Sequence, residues 1–217
     1  MHNLSLRNTI TNKVKFYNPY KPTAKECFSY FIQYLACFSF FTPNDLKDVE
    51  QYWEYCLLHK NQPLAVPGEV CEYIVFVCKG AIKHYVVHNN SQVNIDFATD
   101  GYFCSGVRSF MHQARSADGF ICAQSTYCLR ISYKKFKELI KEHPAFETLF
   151  NMLTEESALR LMNRLASFQT MDAKGRYLLL KNENPDVFNR FTVQDISNYL
   201  GIKPETLCRL RKGETAQ

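Results

Sequence analysis

The chain has 217 residues, of which 46% are hydrophobic and 22% charged, and its net charge is +5. That length supports a substantial core without disulfide or metal staples, and the ordinary composition excludes both wholesale disorder and a membrane-embedded chain. The charge is uneven: residues 1–25 carry five basic residues and no acid, residues 26–172 carry thirteen basic against sixteen acidic, and residues 173–217 carry eight against five. Basic ends around a mildly acidic body point to nucleic acid at one end rather than across the middle.

Residues 1–25 show no helical or strand periodicity, and Asn18-Pro19 and Lys21-Pro22 punctuate them, so they read as a flexible basic arm. The longest apolar stretch, Phe28 to Phe41, is interrupted by Ser29, Gln33 and Ser39 and is shorter than the roughly 20 residues of a membrane span. It predicts a buried, aromatic-rich helix over about 26–40. No secretory signal is visible, so a cytoplasmic location is expected. Thr42-Pro43 predicts a second helix, with Thr42 as its N-cap and Pro43 in its first turn.

From about Glu54 to Ser132 the pattern changes to short β-rich runs: 55–59, 72–77, 81–87, 93–98, 119–123 and 127–131. Turns fall between them at Pro67-Gly68, Lys79-Gly80, Asn89-Asn90 and Asp100-Gly101. An antiparallel β-roll or jelly roll closes such a set of strands. The nine cysteines are odd in number, contain no C-x-x-C pair and are spread along the chain, so they are expected to be mostly reduced core residues and to form no metal or cluster site. His84 and His88 share a strand face, the one hint of a jelly-roll metal or enzyme site. No carboxylate at a suitable spacing and no nucleophile–base pair accompanies them, so no catalytic residue and no enzymatic activity are expected.

Helical periodicity returns at 133–141, which ends at His143-Pro144. A long helix is predicted over 145–171, where Phe146, Leu149, Leu153, Leu161, Leu165 and Phe168 fall on one stripe. That stripe is expected to be a dimer face. Residues 174–181 predict a short helix, and Val187 to Thr192 a small hairpin.

The segment Thr192 to Lys212, TVQDISNYLGIKPETLCRLRK, satisfies the several requirements of a helix-turn-helix together. Thr192 and Asp195 have capping-box spacing. Ile196 and Leu200 make one apolar face, and Leu207 and Leu210 answer it from the second helix. Gly201 suits a left-handed exit, Ile202 plugs the gap, Ser197 permits close approach, and Pro204 opens the second helix. Pro204, Glu205 and Arg209 occupy the leading face, where a carboxylate can accept from cytosine and a guanidinium can donate to guanine. Gln194, Lys203, Thr206, Arg211 and Lys212 are placed for phosphates.

The β module with its Val77-Cys-Lys-Gly80-Ala-Ile turn, the long helix and the reader Asp195-Ile-Ser-Asn-Tyr-Leu-Gly-Ile-Lys-Pro-Glu-Thr-Leu-Cys-Arg209 together resemble the Crp/Fnr family of bacterial transcription regulators over roughly residues 26–212. Two departures stand in the reader: Lys203 where the family has a capping Ser or Thr, and Cys208 where it has Ser. The resemblance implies an α+β fold: a cyclic-nucleotide-binding-like β-roll sensor over 26–144, a dimer helix over 145–171 and a helix-turn-helix domain over 172–217. It implies a homodimer on a pseudo-palindromic site in double-stranded DNA, with RNA polymerase as a further partner and no membrane.

In family members that bind cyclic nucleotides, a Gly-Glu turn holds the ribose and an Arg-Ser pair the phosphate. Here Gly106 stands where the Glu is expected, and Ala117 falls at the Arg position, beside Arg115-Ser116. Cyclic AMP is therefore not the expected effector, and no cofactor is assigned. A different small molecule near Gly101, Tyr102, Ser105, Arg108, Ser109, Arg115 and Ser116, or none, stays open, as does haem ligation by a residue such as His84 or His112. The cysteine cluster of the iron–sulfur branch is absent. With five residues after Lys212, the wing beyond the reader is expected to be truncated. The competing reading is a ligand-binding or scaffold dimer that has lost sequence-specific DNA binding.

Overall fold

The computed structural model describes residues 21–214. Residues 1–20, most of the basic arm expected from the sequence, lie outside the described residues. The first helix, α1 (Ala24–Leu35), starts two residues before the expected Glu26 because Thr23 caps it: Thr23 Oγ1 accepts from Glu26 N, and the Glu26 carboxylate returns to Thr23 N at 2.7 Å. It ends at Leu35 instead of running to Phe40, and Phe38, Phe40 and Phe41 form a ring cluster that closes on Phe146. A second capping box, Thr42 with Asp45, opens α2 (Pro43–Lys47).

Eight strands follow: β1 (Glu54–Leu58), β2 (Pro63–Ala65), β3 (Tyr73–Lys79), β4 (Ile82–His88), β5 (Ser91–Ala98), β6 (Tyr102–Cys104), β7 (Asp118–Cys122) and β8 (Thr126–Ser132). They make two four-stranded antiparallel sheets, ordered β1-β8-β3-β6 and β2-β7-β4-β5. One apolar cluster draws on all eight strands, including Leu58, Ala65, Val75, Ile82, Ala98 and Phe120, and so fills the space between the sheets. Alternate residues of the first sheet, Ile74, Phe76, Cys78, Leu129 and Ile131, join a second cluster with α1 and the later helices. Covered on both faces, β3 reads as a continuous apolar run, buried from Ile74 to Cys78.

Asn89 and Asn90 form the two-residue turn between β4 and β5 with φ of 48° and 58°, the geometry that keeps the hairpin twist. Two short strands, β2 and β6, and a one-and-a-half-turn helix, α3 (Val107–His112), carried too little periodicity to be read from sequence.

The chain then forms α4 (Tyr133–Glu142), α5 (Ala145–Thr170), α6 (Ala173–Glu183), α7 (Val187–Arg190), α8 (Val193–Leu200) and α9 (Pro204–Glu214). Residues 187–190 are helical, not the strand of a hairpin. Val187, Phe188 and Phe191, β-branched and aromatic, imitate strand residues, but Val187 is fully buried in a helical core with Phe191, Ile196, Leu200 and Leu207, and that packing overrides local propensity. Among the described residues, no helix is long and apolar enough to cross a membrane.

The α5 stripe does not form one continuous surface. Phe146 and Leu149 are buried in the core against α1, α4 and β3, and Leu153 packs on its edge. Phe168 lies between the Arg164 and Arg176 guanidiniums, 4.9 and 4.7 Å from its ring centre. Leu161 and Leu165 remain exposed, at 44% and 63%, with Met162 beside them. Phe146 and Leu149 are therefore core residues and unavailable as a dimer face: the first turns of α5 lie over the β-roll, and only its second half projects.

Candidate functional site

Two regions concentrate polar chemistry: the α8–α9 pair and a cavity beneath α5. In the pair, Thr192 Oγ1 accepts from Asp195 N at 3.1 Å, and Asp195 Oδ2 accepts from Thr192 Oγ1 at 2.7 Å. The chain leaves α8 through Gly201 at φ 64°, where a Cβ would also lie 2.8 Å from the Phe168 ring. Both the backbone conformation and the contact require glycine. Ile202 N then donates to Ser197 O at 3.0 Å, and Ile196, Ser197, Leu200 and Leu207 are buried between the helices.

Gln194, Lys203, Glu205, Arg209 and Lys212 are exposed, and Pro204 and Thr206 half-buried. Arg211 differs from its sequence reading as a phosphate contact. It is half-buried with its guanidinium 5.3 Å from the Phe188 ring centre and its Nη2 enclosed without a hydrogen-bond partner. Its long apolar stem covers the core of the reader.

The reader is docked on the second sheet. Lys83 Nζ pairs with Asp195 Oδ1 at 2.8 Å, Asn94 N donates to Asn198 Oδ1 at 2.6 Å, and Asn198 Nδ2 donates to Gln92 O at 3.0 Å. Phe97 packs on Phe191 and Tyr199, with ring centres 4.2 and 5.0 Å away. Arg190 Nη2 reaches Asp100 Oδ2 at 2.8 Å, an acid that also accepts from Gly80 N and from Lys79. Burial raises the Asp195 carboxyl, but hydrogen bonds from Lys83 and Thr192 outweigh it and hold it below its ordinary value.

The cavity lies between the β-roll and the inner face of α5, has a volume of about 110 Å³ and is partly open to solvent. Its apolar wall is Tyr34, Trp53, Phe136 and Phe150, and its polar side is Asp96, Tyr102, Glu156, Ser157 and Arg160. Arg160 Nη2 lies 3.4 Å from Asp96 Oδ2, and its guanidinium sits 4.8 Å from the Tyr102 ring centre. Tyr102 Oη donates to Asp96 Oδ2 at 2.6 Å. Burial works against the Arg160 charge, but Tyr102, Asp96 and Glu156 outweigh it and keep the guanidinium protonated. Glu156 Oε1 and Arg160 Nε are buried without hydrogen-bond partners.

Of the seven residues expected from sequence around an effector, Gly101, Tyr102 and Ser105 line the cavity. Arg108 and Arg115 are exposed on the surface and do not line it. Ser109 and Ser116 are structural: Ser109 Oγ accepts from Cys71 N at 2.8 Å, and Ser116 Oγ accepts from Asp118 N at 3.1 Å. For Arg108 and Ser109 the cause is that 107–112 is a helix that turns Arg108 outward and buries Ser109, while Arg115 is held in an isolated bridge with Val70. The cavity's arginine comes instead from α5, 64 residues beyond Asp96 in sequence, where helical periodicity alone gave it no special standing.

At Gly106 a Cβ would lie 3.3 Å from both Cys71 Cβ and Ser116 Oγ, so there is little room for a larger side chain. His84 stacks on Phe120 and lies 3.2 Å from Asp118 Oδ2, while His112 is exposed at the end of α3. No group of three or more His, Cys, Asp or Glu suited to a metal occurs among the described residues.

A cyclic nucleotide-binding domain is matched over residues 56–143, the β-roll and α4. The similarity continues into the helical half: the cAMP-activated global transcriptional regulator CRP of Pasteurella multocida is 25% identical over 189 residues, covering 79% of this chain and 88% of that protein. These matches support the resemblance to Crp/Fnr regulators over both the β-roll and the helices that follow it. CRP of Salmonella typhimurium is 24% identical over 183 residues, covering 76% of this chain and 85% of that protein. In fold, the chain is similar to the c-di-GMP responsive global regulator CLP of Xanthomonas campestris, with TM-score 0.62, 12% identity and coverage of 81% and 92%. FixK2 of Bradyrhizobium japonicum matches with TM-score 0.62, 16% identity and coverage of 76% and 85%. The chain shares with these proteins an α+β architecture of β-roll and C-terminal helices.

Proposed function

We propose that this chain binds a pseudo-palindromic operator in double-stranded DNA as a homodimer, using α9 as the recognition helix. One observation carries the reading: α9 buries Leu207 in the reader core while presenting Glu205 and Arg209 to solvent, with Lys203, Lys212 and Gln194 exposed around them. Glu205, Pro204 and Arg209 would face base edges, and Gln194, Lys203, Thr206 and Lys212 the phosphates. The second half of α5, through Leu161, Met162 and Leu165, would meet its counterpart in a second copy and set the two readers about one DNA turn apart. The working units are then the β-roll over 26–144, the helix 145–171 and the reader 172–217, in a cytoplasmic regulator that acts with RNA polymerase.

The α5 cavity is the place for a small-molecule effector. The enclosed Arg160 Nε, which has no hydrogen-bond partner, supplies one donor there, beside Glu156 Oε1, which is ion-paired with Arg160 Nη1 at 3.7 Å. Packing around Gly106 and the outward position of Arg115 speak against cyclic AMP.

Selection from random duplexes with the purified chain tests the reading. Enrichment of an inverted repeat, bound with an affinity that falls steeply with salt, is expected. Equal binding to all sequences at every salt concentration would sink it. Cyclic AMP is expected to leave the unfolding temperature unchanged, and a saturable rise would overturn that part alone.

A further inference from the structure

Cys56 and Cys128 are cross-strand partners, each the third residue of its strand, in the pair made by edge strand β1 and β8. Their Sγ atoms are 3.1 Å apart, and Cys128 Sγ also lies 3.6 Å from Cys56 O. Directly opposed residues of an antiparallel pair have Cα separations within the span that a disulfide bridges, so the bond needs no shift of register.

We propose that Cys56 and Cys128 form a thiol–disulfide modification site, oxidised by a peroxide and reversed by a dithiol reductant. Access singles out Cys56 as the attacking group: it is partly exposed, whereas Cys128 and the neighbouring Cys71, Cys104 and Cys122 are buried between the sheets. Charge agrees with access. The hydrogen bond with Cys128 holds the Cys56 thiol below its ordinary value, helped by Arg130 and opposed by burial. Burial pushes Cys122 up to about 11, and Cys104 is also raised by burial. Thiolate character, the determinant of reactivity toward peroxide, is thus concentrated on the one member of the cluster that solvent reaches.

The chemistry closes in two steps. The Cys56 thiolate attacks one oxygen of hydrogen peroxide, the O–O bond breaks, and the departing hydroxide takes up the proton lost by the thiol. Cys56 becomes a sulfenic acid, oxidised by two electrons, and one water is released. The Cys128 sulfur then attacks the Cys56 sulfur, an S–S bond forms as the S–O bond breaks, and hydroxide leaves with the Cys128 proton as a second water. The product joins positions 72 residues apart and staples an edge strand to its sheet, which restricts the unfolded chain.

The test treats the reduced full chain with hydrogen peroxide, maps peptides under non-reducing conditions, and measures the unfolding temperature before and after dithiothreitol. A peptide linking Cys56 to Cys128 is expected, together with an unfolding temperature several degrees higher that returns on reduction. Cys56→Ser and Cys56→Ala, which leave buried Cys128 in place, should remove both signals while folding as the parent does. The exposed Cys37 and Cys208 report general oxidation. Cys56 and Cys128 remaining free thiols once those two have reacted overturns the proposal. So does Cys56 oxidised without linkage to Cys128, or linked to another cysteine.

Discussion

Arg160 and Arg164, one turn apart on α5, hold β5 at two residues of opposite allegiance: Arg160 reaches the Asp96 carboxylate at 3.4 Å, and Arg164 reaches Asn94 O at 3.2 Å. A bulge separates the two positions, with His84 opposite Asp96 and Tyr85 opposite Asn94, so that Ile95 is the extra residue. Asp96 serves the cavity and Asn94 the reader. Arg164 also donates to Tyr199 O at 2.9 Å, so one helix and one strand connect the cavity to α8.

Arg164→Ala is expected to weaken that connection. Hydrogen bonds from a charged donor contribute about 1.5–3 kcal/mol, and the guanidinium also covers Tyr199 at 4.5 Å. Amide exchange in α8 should accelerate with exchange in α1 unchanged. Equal acceleration in both would show that the loss is global.

Acid should loosen the same docking. Because the folded Asp195 carboxyl lies below its ordinary value of 3.8, its contribution is present above that value and is lost as pH falls through the lower folded one. Asp45 is held low in the same sense, first by the Thr42 hydroxyl, so acid unfolding of the parent alone does not isolate Asp195. The difference does: Asp195→Asn should flatten the pH dependence of α8 exchange below about pH 4 and leave that of α2 intact.

The two ends of the α5 stripe should behave oppositely. Leu149→Ala opens a cavity in the core and should lower stability by about 2–5 kcal/mol. Leu165→Glu changes an exposed residue, with little effect on the stability of the single chain. Sedimentation velocity should show the Leu165 variant shifted toward monomer, and an unchanged distribution would remove Leu165 from the dimer face.

For DNA, Arg209→Ala should weaken operator binding by about 1–3 kcal/mol and relax preference at one base position. Lys203→Ala should weaken binding to all sequences alike and reduce the salt slope by about one. Arg211→Ala should act mainly on stability, through exposure of Phe188. Fluorescence anisotropy against salt, with thermal unfolding beside it, separates the three.

The resemblance to Crp/Fnr regulators was legible because its signals are local. The capping-box spacing of Thr192 and Asp195, the glycine turns and the agreement of positions across Thr192 to Lys212 depend on residues within a few places of one another, and periodicity marked six of the eight strands. The same locality misled at 187–190, where β-branched and aromatic residues imitate a strand, and at Arg115, where a basic residue near the expected phosphate position turns outward.

By itself, then, the sequence determined six of the eight strands, their closure as a β-roll, the long helix and the helix pair at 192–212, since each follows from spacing along the chain. Only the tertiary structure decided which apolar residues of α5 are core, which arginine enters the cavity, how the reader is docked on β5 and which two of nine cysteines meet. Asp96 and Arg160 are 64 positions apart, Cys56 and Cys128 72, and Asn94 and Asn198 104. Such relations arise from packing and charge pairing in three dimensions, which no local period records.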